Sequence, residues 1–314
     1  MTKTLVRLVG ALLSFACVAF IVWRFAQAGV WQHVVNSRQA WHLLLFSMVG
    51  AFVYLTGLCA LGVAWWSGQS AFMVTRPPLR PFFAIYAVSQ FAKYLPGNIG
   101  QYVGRHVLLR RYGIGHAALL MGTITEAGFL VLAALVWASN NLSVLWPHLM
   151  FQVSAWQVLA TECVVVTAAV FAFQHWRQRS SRLSTLVPLQ APGRLLGVLP
   201  LQLLLFAAMA GALMLPAQAL SASSVMPLLP GVAATSWIAG FLVIGAPAGI
   251  GVREAVFIAL LHGKMAESDI LLLAAAFRIA TFVGDALFFL FGFLLGGGRS
   301  AGSLSTFSHA SVLR

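Results

Sequence analysis

The sequence predicts an all-α polytopic integral membrane protein, an inverted-topology repeat of span, span, re-entrant hairpin and span, with six full spans plus two re-entrant hairpins. Three observations predict it. The chain of 314 residues is 61% hydrophobic and only 8% charged, with a mean hydropathy of +0.91, a composition that belongs to bilayer-embedded chains. Pro96-Gly97-Asn98-Ile99-Gly100 and Pro247-Ala248-Gly249-Ile250-Gly251 each interrupt a long apolar stretch, and each is followed by an arginine, Arg105 or Arg253. The displacement between them, 247 − 96 = 151 residues, also carries the apolar run beginning near Trp41 to the one near Arg194, and the run near Ala117 onto the run near Ser268. Matching Pro/Gly breaks in two halves point to the central site of a transporter.

The predicted spans are 5–23, 41–66, 117–138, 154–173, 194–216 and 270–295, most approaching the ~20 apolar residues that cross a bilayer. Lys3 and Arg7 before the first, and Ala26-Gln27-Ala28 after it, resemble a signal peptide. It is read as a retained span, because its removal would delete the counterpart of 154–173. The regions 82–112 and 231–262 contain the breaks, and their halves, about 13–19 residues each, are short for a crossing. They are read as re-entrant hairpins, a form tolerated at membrane depth only where protein or a wet cavity surrounds the break. The whole of 1–298 is one transmembrane domain, with repeats at approximately 5–138 and 154–295, and the Ser/Gly-rich tail 299–314 is expected to be disordered and cytoplasmic.

Loop charge sets the expected orientation. Arg76 and Arg80, then Arg105, Arg110 and Arg111, then Arg177, Arg179, Arg182 and Arg194 mark cytoplasmic segments, while 139–153 and 217–230 carry no lysine or arginine. Both termini are then cytoplasmic, and the loop 24–40, with Arg24 and Arg38, is the misfit. Cysteines placed at Asn141 and Ser223 should label from outside intact cells and one at Ser181 only after permeabilisation; labelling at Ser181 in intact cells would reverse the orientation.

Composition also excludes classes of function. The net charge of +13 is scattered between apolar runs, where it sets topology and meets headgroups, so no nucleic-acid partner is expected. Cys17, Cys59 and Cys163 have no metal or disulfide spacing, no cofactor or metal is expected, and no nucleotide-binding loop, zinc-protease helix or nucleophile elbow occurs.

Candidate substrate-binding residues cluster at the breaks: Lys93, Pro96, Gly97, Asn98, Gly100 and Arg105 at the first, and Pro247, Gly249, Gly251, Arg253 and Glu254 at the second. Glycines permit close backbone approach, prolines stop the incoming helix, and the outgoing helix begins with free N–H groups that suit an anion. Ionisable groups at membrane depth are costly and mark function by default. Bases outnumber acids here, which suits phosphate. Glu126, Arg278 and Asp285 are candidate buried or coupling charges. Displacing Glu126 by 151 residues gives position 277, beside Arg278, and predicts a Glu126–Arg278 pair across the pseudo-axis; the alternative role for these charges is scaffold neutralisation.

The strings Gln90-Phe91-Ala92-Lys93-Tyr94-Leu95-Pro96-Gly97-Asn98-Ile99-Gly100 and Pro247-Ala248-Gly249-Ile250-Gly251-Val252-Arg253-Glu254 resemble the two signature segments of the lysylphosphatidylglycerol synthase transmembrane region, a flippase-like membrane protein family. The resemblance covers nearly the whole chain and implies a stand-alone member without the cytosolic synthase domain, so synthase activity does not carry over. It implies movement of a phospholipid or lipid-linked intermediate across the bacterial inner membrane, with a functional link to lipid-modifying enzymes or glycosyltransferases. The competing readings are a membrane enzyme acting on lipid-linked sugars, with Glu126 or Glu254 as base, and a secondary transporter of a small anion.

Overall fold

The computed structural model describes residues 38–94, 99–110, 112–139, 189–220, 222–243 and 246–296, with isolated positions at 160, 164 and 175. The predicted spans 5–23 and 154–173, the first tip at 95–98 and the tail 299–314 lie outside the described residues.

The long apolar runs form helices without a polar face: α1 (Arg38–Ser70), α4 (His116–Ala138), α5 (Val198–Ala219) and α8 (Glu267–Gly296), with no strand among the described residues. These four are long and apolar enough to cross a membrane, and only 33–56% of each one's most apolar stretch is buried within the protein. The rest, including Phe52, Ile124, Leu204 and Phe293, faces outward, an arrangement that water disfavours and lipid accepts.

Helices α1 and α8 outrun their predicted limits for identifiable reasons. The polar end of α1 stays helical because its side chains find buried partners: Ser67 Oγ donates to Arg194 O (2.7 Å), Gln69 Nε2 donates to Ala118 O (2.9 Å), and Arg194 Nη1 donates to Ser70 O (2.7 Å). At the start of α8, Glu267 and Asp269 occupy the first turn, where the helix dipole favours acids.

Between the long helices lie two broken pairs. The first is α2 (Leu79–Gln90), a 3-10 turn (Phe91–Tyr94) and α3 (Gly100–Arg110). The second is α6 (Leu229–Leu242), a 3-10 turn (Pro247–Gly249) and α7 (Val252–Leu261). With 10 to 14 residues per helix, each is about 15–21 Å long, short of the ~30 Å hydrocarbon core. At the second break Gly249 and Gly251 adopt φ +69° and +85°, with Ala248 just before them at φ 50°, a left-handed path that glycine follows at little cost.

The packing is matched under exchange of α1–α4 with α5–α8. Helices α1 and α5 lie against each other at the centre. Helix α2 packs on α8 as α6 packs on α4, α1 packs on α8 as α5 packs on α4, and α2–α3 match α6–α7. The central contact depends on small residues: a Cβ on Gly57 would stand 2.7 Å from Ala208 Cβ, and one on Gly50 2.9 Å from Ala212 O. Such close approach is how helices associate where no hydrophobic effect drives them together.

Candidate functional site

The turn Phe91–Tyr94 of the first break approaches Pro247–Gly249 of the second, with Cα atoms within 8 Å. Helix α8 runs past this junction. Arg278 and Asp285, seven residues apart and so on one face, both turn toward it.

Asp285 is buried on α8 and both its oxygens are engaged from the first break: Lys93 Nζ donates to Oδ1 and Tyr94 OH to Oδ2, each at 2.7 Å. Lys93 follows α2 by one 3-10 turn, and Tyr94 is held beside it by ring contacts with Phe91 and Phe282. Asp285 also faces Tyr54 of α1.

At the second break, Glu254 occupies the third position of α7. It accepts the N–H of Gly251 at 2.7 Å through Oε2 and pairs with Arg278 Nε through Oε1. Arg278 Nη2 also donates to Gly249 O (3.3 Å), tying the turn to α8. The anion-friendly end expected of the outgoing helix is therefore filled by the helix's own acid.

Arg253, one residue earlier, has a different environment. Its side chain runs in a slot between two glycines, where a Cβ on Gly240 would meet Arg253 Cγ at 2.5 Å and one on Gly249 would meet Nε at 2.7 Å. Among the described residues it forms no ion pair, its Nε has no acceptor, and its guanidinium lies 5.9 Å from the centre of the Trp237 ring. Arg253, Glu254 and Arg278 line a cleft together with Ser236, Trp237 and Thr281, walled further by Phe257 and Phe277. The buried Ser236 hydroxyl lacks a partner. Unsatisfied donors on one apolar-walled cleft are unusual for a closed interior and give it the means to hold an anion.

Arg105 is not part of this cleft. It turns away to Glu126 (Nη1 to Oε2, 2.5 Å) and Gln90 (Nη2 to Oε1, 3.1 Å), 4.1 Å from the centre of the Tyr86 ring. Tyr86 OH donates to Glu126 Oε1 at 2.7 Å. Both members of this pair are buried.

The expected Glu126–Arg278 pair is thus corrected: Glu126 binds Arg105, and Arg278 binds Glu254. A displacement of 151 residues relates equivalent positions. Equivalents touch only where the halves meet, as α1 meets α5; α4 and α8 lie on opposite flanks and share no extended packing. Each half instead closes its own pair between its outgoing short helix and the following long one, with the charges exchanged: base on α3 and acid on α4, acid on α7 and base on α8. Among the described residues, the ion pair joining the two halves is Lys93–Asp285.

Of the other candidates, Gly100 sits at the start of α3, where a Cβ would stand 2.5 Å from Ala92 O; it serves close backbone approach. Pro247, Gly249 and Gly251 form the second turn, while Pro96, Gly97 and Asn98 lie outside the described residues. Sequence reasoning passed over Tyr54, Tyr86, Tyr94, Ser236 and Trp237. Tyr94 adjoins Lys93, and Tyr86 lies one helical turn before Gln90, so spacing alone placed those two near the charges. Nothing in the sequence pointed to Ser236.

No protein-family model matches the chain, and no curated protein matches it.

Proposed function

We propose that this chain is a flippase-like lipid translocator of a bacterial inner membrane, taking a phosphate-bearing lipid headgroup into the cleft at Arg253 while the acyl chains remain in the bilayer. The observation that carries the reading is the Arg253 guanidinium, without an ion pair among the described residues, beside the unpartnered Ser236 hydroxyl, in a cleft where the Glu254–Arg278 pair is already closed and the remaining walls are mainly aromatic and aliphatic. A guanidinium and a hydroxyl suit a phosphate oxygen; the apolar walls and outward-facing apolar helix surfaces suit a ligand that is mostly lipid.

In this reading the matched halves are an inverted repeat with two re-entrant hairpins, and both termini are cytoplasmic. The exchange-matched packing and the paired breaks support the repeat, and the loop charges support the orientation. The resemblance to the lysylphosphatidylglycerol synthase transmembrane region agrees with it. The enzyme reading loses support, because Glu126 and Glu254 each have both oxygens engaged and neither is a free base.

The test is reconstitution into liposomes containing tail-labelled phosphatidylglycerol, with leaflet location read by dithionite quenching. A second arm measures radiolabelled inorganic phosphate influx. The expected result is rapid exchange of label between leaflets without phosphate influx. Phosphate influx without lipid movement would transfer the cleft to a small-anion transporter, and neither movement would contradict the proposal.

A further inference from the structure

We infer that Asp285 is the proton-binding group of this protein, and that releasing Lys93 from it couples lipid movement to a proton gradient. This rests on the translocator reading above and adds an energy source to it.

Arg105–Glu126 and Glu254–Arg278 each lie within one half, while α2 and α8 pack together across the halves, so the charge contact between halves that a local movement of a break opens is the one at the Phe91–Tyr94 turn. Lys93–Asp285 is the pair that crosses between the halves among the described residues, with its members 192 residues apart. Motion that separates the Phe91–Tyr94 turn from α8 must break it.

Breaking it leaves a carboxylate that is 4% exposed. The groups facing Asp285 from its neighbours are Lys93 and Tyr94 of the first break, Tyr54 of α1, Arg253 of α7 and, on its own helix, Arg278. Arg278 is held by Glu254, and Arg253 is the group assigned to the headgroup. The ionisable residue of α2 nearest this depth, Tyr86, is turned to Glu126, and α5 carries no ionisable side chain. When the turn moves away, Lys93 and Tyr94 leave together, and Asp285 keeps only the neutral hydroxyl of Tyr54 as a close partner. A buried carboxylate without a cation is so costly that it takes a proton. The step balances: one proton passes from water to a carboxylate oxygen of Asp285, the Lys93 ammonium keeps its charge, and it can meet the anionic headgroup beside Arg253. On the far side the headgroup leaves, Lys93 returns and the proton departs. A monoanionic lipid and a proton thus move together without net charge.

The experiment uses full-length protein in liposomes with tail-labelled phosphatidylglycerol, with and without an imposed gradient of one pH unit. The readout is the steady-state leaflet ratio, which a slower variant still reaches. One-for-one electroneutral coupling sets that ratio at about ten, since a pH unit is a tenfold difference in proton activity. Asp285→Asn should bring the ratio to the value seen without a gradient. The double variant Lys93→Gln/Asp285→Asn, which leaves no buried charge unpaired, should do the same and covers failure of the single variant to fold. Lipid that equilibrates in the wild type to one ratio with or without the gradient would overturn the coupling and leave translocation standing. A gradient response kept by the double variant would overturn the assignment to Asp285. Absence of any lipid movement in the wild type would overturn both readings.

Discussion

Arg105→Ala is expected to destabilise the protein by about 3–5 kcal/mol, the usual penalty for removing one partner of a buried ion pair. Arg105 and Glu126 have side chains only 5% and 4% exposed. Loss of the guanidinium leaves the Glu126 carboxylate with Tyr86 OH alone, because Gln202 Nε2 donates to the Glu126 backbone carbonyl and not to its side chain. Gln90 Oε1 loses its donor as well. Thermal unfolding in detergent, followed by tryptophan fluorescence or aggregation, reads the loss. Adding Glu126→Gln should recover part of it, since a neutral amide still accepts from Tyr86 and no longer brings a charge. A wild-type melting temperature for Arg105→Ala would mean that the pair is not closed in the membrane-embedded protein.

Arg253→Ala should do the opposite: fold normally and lose its ligand. No carboxylate among the described residues depends on Arg253, so its removal orphans no acid. Losing a charge-assisted hydrogen bond to phosphate costs about 1.5–3 kcal/mol, or roughly 10- to 150-fold in affinity. Titration with short-chain phosphatidylglycerol, monitored by Trp237 quenching or calorimetry, should show that weakening at an unchanged melting temperature. Arg278→Ala provides the contrast. It removes a cation from Glu254 and a donor from Gly249 O, so it should loosen the second break and lower stability, with Glu254→Gln as its compensating partner. Equal unfolding in Arg253→Ala and Arg278→Ala would identify the whole cluster as scaffold.

Much of the fold was legible because the signals are one-dimensional. Apolar runs of bilayer length give helices in water-poor surroundings whatever their partners, so the runs at 41–66, 117–138, 194–216 and 270–295 read directly as α1, α4, α5 and α8. Their limits were misjudged where a polar residue is buried instead of solvated, as with Gln69 on Ala118 O. The breaks were legible from proline and glycine, which act locally. Pairing was not, because it depends on how short helices rotate about their axes. Arg105 lies nine residues after Pro96 and Arg253 six after Pro247; Arg105 finds Glu126, while Arg253 runs between Gly240 and Gly249 toward Trp237. Those counts put the two bases on different faces of their helices without saying what each face meets. Asp285 and Arg278 were legible as sharing a helix face, but that their partners would be Lys93 and Glu254 required the approach of the two turns in space.

The central claim is that a phosphate-bearing headgroup sits at Arg253, beside the second break. Photo-crosslinking tests it most directly, using phosphatidylglycerol that carries a diazirine on the glycerol headgroup, with adduct sites mapped by mass spectrometry in wild type and Arg253→Ala. The account predicts adducts on cleft residues such as Trp237, Phe257 and Phe277, lost in the variant and competed by unlabelled lipid. Adducts confined to outward-facing residues such as Phe52 and Phe293, and unchanged by Arg253→Ala, would contradict it.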